Sequence, residues 1–150
     1  MLMTFRFPLE ALLRLRQGLE RQQELRLQEA NHRVAILRQQ IEDLRTEMEN
    51  IEARRRLEYE LAISAAELQF DLLCRSVLVT RQHFLETQLV EAEAYRQSRS
   101  KDFKQARRQR EVMEMLRRHQ FEDYQQQEAR QEQRRLDDLF LLRRAYLQRS

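Results

Sequence analysis

From Leu27 to Ile51 the apolar residues fall at Leu27, Ala30, Val34, Leu37, Ile41, Leu44, Met48 and Ile51, in strictly alternating steps of three and four. The residues between them are almost all Arg, Glu, Gln, Asp, Asn or Thr. A stripe this narrow, averaging one apolar residue every 3.5 positions, is the seam of a coiled coil. It is too narrow to form one wall of a globular core and is buried only against a second helix with a matching stripe. The chain therefore has to contain, or to find, that second helix.

The composition points the same way. A chain of 150 residues with 35% charged residues, one Gly, one Pro and no Trp has the make-up of long paired helices. One layer of paired helices buries a seam and leaves no interior for a substrate pocket, so the reading is of a non-enzymatic protein with no cofactor. No run of 18 or more apolar residues occurs, and Met1 to Phe7 is too short and too polar for a signal peptide, which together suggest a cytoplasmic chain. The single Cys74 has no intrachain partner for a disulfide, in keeping with a reducing compartment and a structural thiol.

Charge is unevenly spread. Residues 1–38 hold 7 Arg against 4 Glu, residues 39–95 hold 6 Arg against 12 acids, and residues 96–150 hold 15 basic against 9 acidic side chains. The middle is acidic and both ends are basic. Of the 28 basic residues 26 are Arg, which favours geometric pairing with carboxylates.

Along the chain, Phe5 and Phe7 precede Pro8, whose fixed φ suits a first helical turn, and Glu10 follows near the positive helix end. Leu9, Leu12, Leu13, Leu15 and Leu19 make this opening broadly apolar, and Gly18 is expected to loosen the helix without ending it. Past Ile51 the seam positions would be Arg55 and Glu58, so the pattern fails there, beside a collar of Arg54, Arg55 and Arg56. A helix start follows: Ser64 can cap the N–H of Glu67, Glu67 can return to Ser64, and Ile63 can staple onto Leu68. These signals predict helix one at about 8–61, a turn at about 62–64 and helix two at about 65–147. The alternative is one unbroken rod of ~210 Å at 1.5 Å per residue, which needs a second chain.

With the turn there, Met48 faces Val77, Ile41 faces Phe84, Ala30 faces Tyr95 and Leu12 faces Met113. Helix two then offers Ala66, Phe70, Leu73, Val77, Thr80 and Phe84 as its seam, and continues after a one-residue stutter through Leu85, Ala92, Tyr95, Ala106, Met113 and Leu116. Helix two outruns helix one, leaving Phe121 to Ser150 as an overhang. Its Gln125–Gln133 stretch is solvated or frayed, while Leu136, Leu139, Phe140, Leu141, Leu142, Tyr146 and Leu147 are too apolar to be left in water alone. Near the turn, Leu72, Leu78 and Val79 fall off the predicted seam and would be exposed, the usual mark of a partner site or of self-association. Leu57 and Tyr59 belong to the same tip.

Chemistry-bearing motifs are scarce. His32, His83 and His119 are far apart, no Cys or His pair has zinc spacing, and no Gly-rich phosphate loop or nucleophile triad occurs. The basic run Arg107, Arg108, Arg110, Arg117 and Arg118 could meet nucleic acid, but Glu111, Glu114, Glu122 and Asp123 lower its field, so nucleic acid is not the expected partner.

The opening Phe5-Arg6-Phe7-Pro8-Leu9-Glu10-Ala11-Leu12-Leu13-Arg14-Leu15-Arg16 resembles the F-x-F-x-L-E-x-L-L-x-x-R start of the FliJ family of bacterial flagellar export proteins. Glu132-Gln133-Arg134-Arg135-Leu136-Asp137-Asp138 is similar to that family's E-x-K-x-L-D-E segment, with Arg135 and Asp138 differing from it. The resemblance implies an all-α, long antiparallel two-helix coiled-coil hairpin, similar to the stalk of the rotary ATP synthase γ subunit. It implies a non-enzymatic stalk or chaperone of the flagellar type III export apparatus, in the cytoplasm and peripheral to the inner membrane at the flagellar base. The implied partners are the export ATPase hexamer, the cytoplasmic domain of the export gate, and export chaperones. By this resemblance the ATPase-facing ends are Phe5, Phe7, Leu9, Leu12, Leu136 and Phe140. The tip that meets the gate would use Phe70, Leu73 and Val77, with Leu72, Leu78 and Val79 the better exposed candidates on physical grounds. Arg107, Arg108 and Arg110 would meet an acidic ring lumen. A generic coiled-coil scaffold or homodimeric rod outside export is the alternative.

Overall fold

The computed structural model describes residues 4–59, 61 and 64–149. They form an all-α helical hairpin of two helices, α1 (Glu10–Tyr59) and α2 (Ala65–Arg149), with no strand among the described residues. At the start of α1 the Glu10 N–H donates to the Phe7 carbonyl at 3.1 Å, closing a turn whose second residue is Pro8. Gly18 lies within α1, and a Cβ there would meet nothing within 4 Å. At the start of α2 the Glu67 N–H donates to Ser64 Oγ at 3.3 Å, the expected cap. Ala62 and Ile63, and with them most of the expected turn and the staple onto Leu68, lie outside the described residues, as does Glu60.

Packing divides the chain into two units, Met1–Arg21 with Gln105–Ser150, and Gln22–Lys104. In the second, Val34, Leu37, Ile41 and Leu44 of α1 bury against Leu85 and Ala92 of α2, with Met48, Leu78 and Leu89 packed alongside. The helices are antiparallel: Arg33 meets Gln88, Glu52 meets Arg75 and Arg55 meets Asp71. These pairs follow the expected register to within about a helical turn.

Two features of this unit differ from expectation. The α1 seam does not fail at Arg55, which is 8% exposed and fills the next position. Its Nη2 donates to the Asp71 carbonyl at 2.9 Å, and its Nε lies 3.7 Å from the Asp71 carboxylate. A long aliphatic stem occupies the seam while the charged head finds its counter-charge at the edge.

The second difference concerns α2. Ala66, Phe70, Leu73, Val77, Thr80, Phe84 and Tyr95, expected in the seam, are all exposed. The inward positions are Asp71, Cys74, Leu78, Gln82, Leu85, Leu89, Ala92, Arg96 and Arg99, buried or half-buried in steps of three and four. No stutter separates Leu78 from Ala92. The cause is geometric: a continuous helix keeps one face inward, and Leu85 and Ala92 carry that face back by whole heptads to Leu78 and Asp71. Leu78, expected to be exposed, packs on the core for the same reason.

In the first unit Phe7, Leu13 and Met113 form the core, with Phe5 and Leu12 against it. Ala106 is also buried, whereas Leu116, expected in the seam, is exposed. Polar pairs hold the helices together: Arg16 to Gln109 at 2.7 Å, Glu10 to Arg117 at 3.4 Å, and Glu20 with Arg110. The Gln125–Gln133 stretch is helical, and every described residue from Gln125 to Arg149 is exposed.

Candidate interaction surfaces

At the tip, Phe70, Leu73, Val77 and Phe84 are 67%, 63%, 66% and 55% exposed. Their steps of three, four and seven are those of a heptad stripe, so α2 carries two stripes, one covered by α1 and one bare. Leu72 and Val79, seven residues apart and also exposed, lie on the opposite flank of the covered seam with Val90. The six candidate tip residues thus separate into the bare stripe Phe70, Leu73 and Val77, the flank pair Leu72 and Val79, and the core residue Leu78. Phe84 extends the bare stripe. Reading it as seam missed this, although projecting heptads backward from Leu85 and Ala92 would have turned it outward. On α1, Leu57 and Tyr59 are exposed.

At the other candidate surface, Phe5 meets the edge of Phe121 with centroids 5.2 Å apart and lies 5.5 Å from the Tyr124 ring. Phe5, Phe7 and Leu12 are therefore occupied within their own unit, and Leu9 is exposed. A cleft of about 400 Å³ is lined by Phe5, Glu114, Arg117, Arg118 and Phe121. Farther along α2, Leu136 and Phe140 stand exposed with Leu139, Leu142 and Tyr146.

The three candidate arginines differ in what they have left to offer. Arg110 is gripped by both oxygens of Glu20 and donates to Glu114 at 2.7 Å. The hydrogen bond to Glu20 holds its guanidinium above its ordinary pKa. Arg107 pairs with Glu111 at 3.1 Å. Arg108 is exposed and has no ion-pair partner among the described residues. Within the aromatic cluster, the Tyr124 hydroxyl donates to Glu128, one turn farther along α2, at 2.6 Å, which raises the phenol above its ordinary range.

Such surfaces offer apolar contact and salt-sensitive charge. Among the described residues no group of three or more His, Cys, Asp or Glu could hold a metal ion, and no helix is long and apolar enough to cross a membrane.

No curated protein and no solved structure matches the chain. The family model described as "Flagellar FliJ protein" matches residues 5–150, essentially the whole length. With two packed helices and that match, the chain belongs to the FliJ family, whose members are components of the bacterial flagellar export apparatus.

Proposed function

We propose that this protein is a coiled-coil stalk that engages the flagellar export ATPase through the far end of α2 and the export gate through the bare stripe at its tip. The observation that carries this reading is the exposed end of α2, where Leu136, Leu139, Phe140, Leu142 and Tyr146 lie on a helix from which α1 is absent. Apolar side chains gathered on one stretch of helix mark a surface kept for a partner. The Phe70–Phe84 stripe supports the second contact for the same reason. Arg108, and Arg107 once released from Glu111, supply the charge that an acidic ring would attract, giving mobile, salt-sensitive association.

The test is binding of the purified chain to the export ATPase and, separately, to the gate's cytoplasmic domain. Leu136→Ala with Phe140→Ala is expected to weaken ATPase binding by about tenfold or more and to leave gate binding intact. Phe70→Ala with Leu73→Ala is expected to do the reverse. If neither double variant changes either affinity, the reading falls. Charge reversal is best made at Arg107 and Arg108, because reversing Arg110 would also break its grip on Glu20.

A further inference from the structure

The end of α2 carries an ordered charge pattern as well as apolar side chains. Asp137 and Asp138 immediately precede Leu139, Phe140, Leu141 and Leu142, and Arg143 and Arg144 immediately follow. All eight are exposed. Among the described residues Asp138, Arg143 and Arg144 have no ion-pair partner, and Asp137 only accepts a hydrogen bond from Gln133 at 3.2 Å. On the helix Asp137, Phe140, Leu141 and Arg144 share one face, with an acid at one end, two apolar residues in the middle and a base at the other end, a face complementary to its own reverse.

We propose that this segment docks a second copy of itself, antiparallel, with the crossing point between Phe140 and Leu141. In that arrangement Asp137 of each copy meets Arg144 of the other, on either side of a middle built from Phe140 and Leu141 of both chains, the residues that share one face of the helix. The charge order selects the occupant. A parallel copy in register sets acid against acid and base against base. A uniformly acidic partner suits Arg144 and opposes Asp137, and a uniformly basic one does the opposite. Flanking charges of this kind choose direction and partner more than they add affinity, while the apolar middle supplies the attraction. The segment is the one assigned above to the ATPase, but the pairing is measured with no ATPase present. Its failure therefore leaves that assignment standing.

The experiment is sedimentation velocity on the full chain in reducing buffer, which keeps Cys74 from linking copies. The apparent mass is expected to climb from one chain of 18.5 kDa toward two as concentration rises about a hundredfold. Asp137→Arg, and separately Arg144→Asp, are each expected to stay single at concentrations where the parent pairs. Both substitutions together are expected to restore pairing, because the swapped face is again complementary to its reverse. Circular dichroism with unchanged helix content shows that the variants remain folded. A parent that stays single throughout, single variants that pair as well as the parent, or a double variant that fails to recover each overturns the proposal.

Discussion

Individual residues in this chain are set by what they face. Gly18 faces open space within a helix, where glycine brings flexibility and no compensating contact. Gly18→Ala is expected to raise stability by about 0.5–1 kcal/mol, read from the urea midpoint. Arg55 is the opposite case, a charge placed in the seam and held by Asp71. Asp71→Ala strips the counter-charge from a buried guanidinium and is expected to cost about 1–3 kcal/mol. Arg55→Met refills the seam with an apolar stem and leaves Asp71 able to turn toward water, so it is expected to cost less. Equal losses in urea unfolding would mean that the guanidinium is not stranded when the Asp71 carboxylate is removed. Tyr124 reports its surroundings through its ionisation. Its hydrogen bond to Glu128 favours the neutral phenol, so whatever this contact adds is present below the ordinary phenol pKa and is lost as pH rises through the shifted one. An NMR titration should find the ring ionising above the ordinary range, and Glu128→Gln should move it back.

Between the two helices the legibility of the sequence was unequal, for a physical reason. The α1 seam could be read directly because apolar residues occupy almost every inward position from Leu27 to Ile51 and polar ones nearly every outward position. On α2 the inward positions near the tip include Asp71, Cys74 and Gln82, while the bare stripe holds Phe70, Leu73, Val77 and Phe84. A search for the most apolar face therefore finds the one α1 does not cover. Burial in a coiled coil follows from rotational continuity along the helix as well as from hydrophobicity. The positions that could be read, Leu85, Ala92, Ala106 and Met113, already contained that information. The C-terminal candidates were legible because their apolar density exceeds what an isolated helix tolerates, whereas the grip of Glu20 on Arg110 depended on a pairing across the hairpin that composition alone does not reveal. The contrast between the two faces can be measured. Leu85→Ala is expected to cost about 2–5 kcal/mol, whereas Phe70→Ser with Val77→Ser should stay within about 1 kcal/mol for the pair. Comparable losses would restore the bare stripe to the seam.

Across the whole molecule, helical backbone and stability need not coincide. The segment Gln125–Arg149 is as helical as Val34–Leu44, yet one has no covering helix and the other lies in a packed core. The uncovered segment lacks the packing of an apolar face, from which most helical stability comes. Native-state amide exchange should therefore be slowest around Val34–Leu44 and Leu85–Ala92 and much faster from Gln125 onward. Partners should then write their positions onto that pattern. Adding the export ATPase is expected to slow exchange in Gln125–Arg149, and adding the gate domain to slow it around Phe70–Phe84. Self-pairing adds a distinguishing mark: protection around Asp137–Arg144 should rise with the concentration of the chain alone and vanish in either single charge variant, Asp137→Arg or Arg144→Asp. Protection there that is already high in dilute solution and indifferent to concentration would mean that the end of α2 is stabilised from within. Both the ATPase assignment and the pairing would then lose the exposed surface on which they depend.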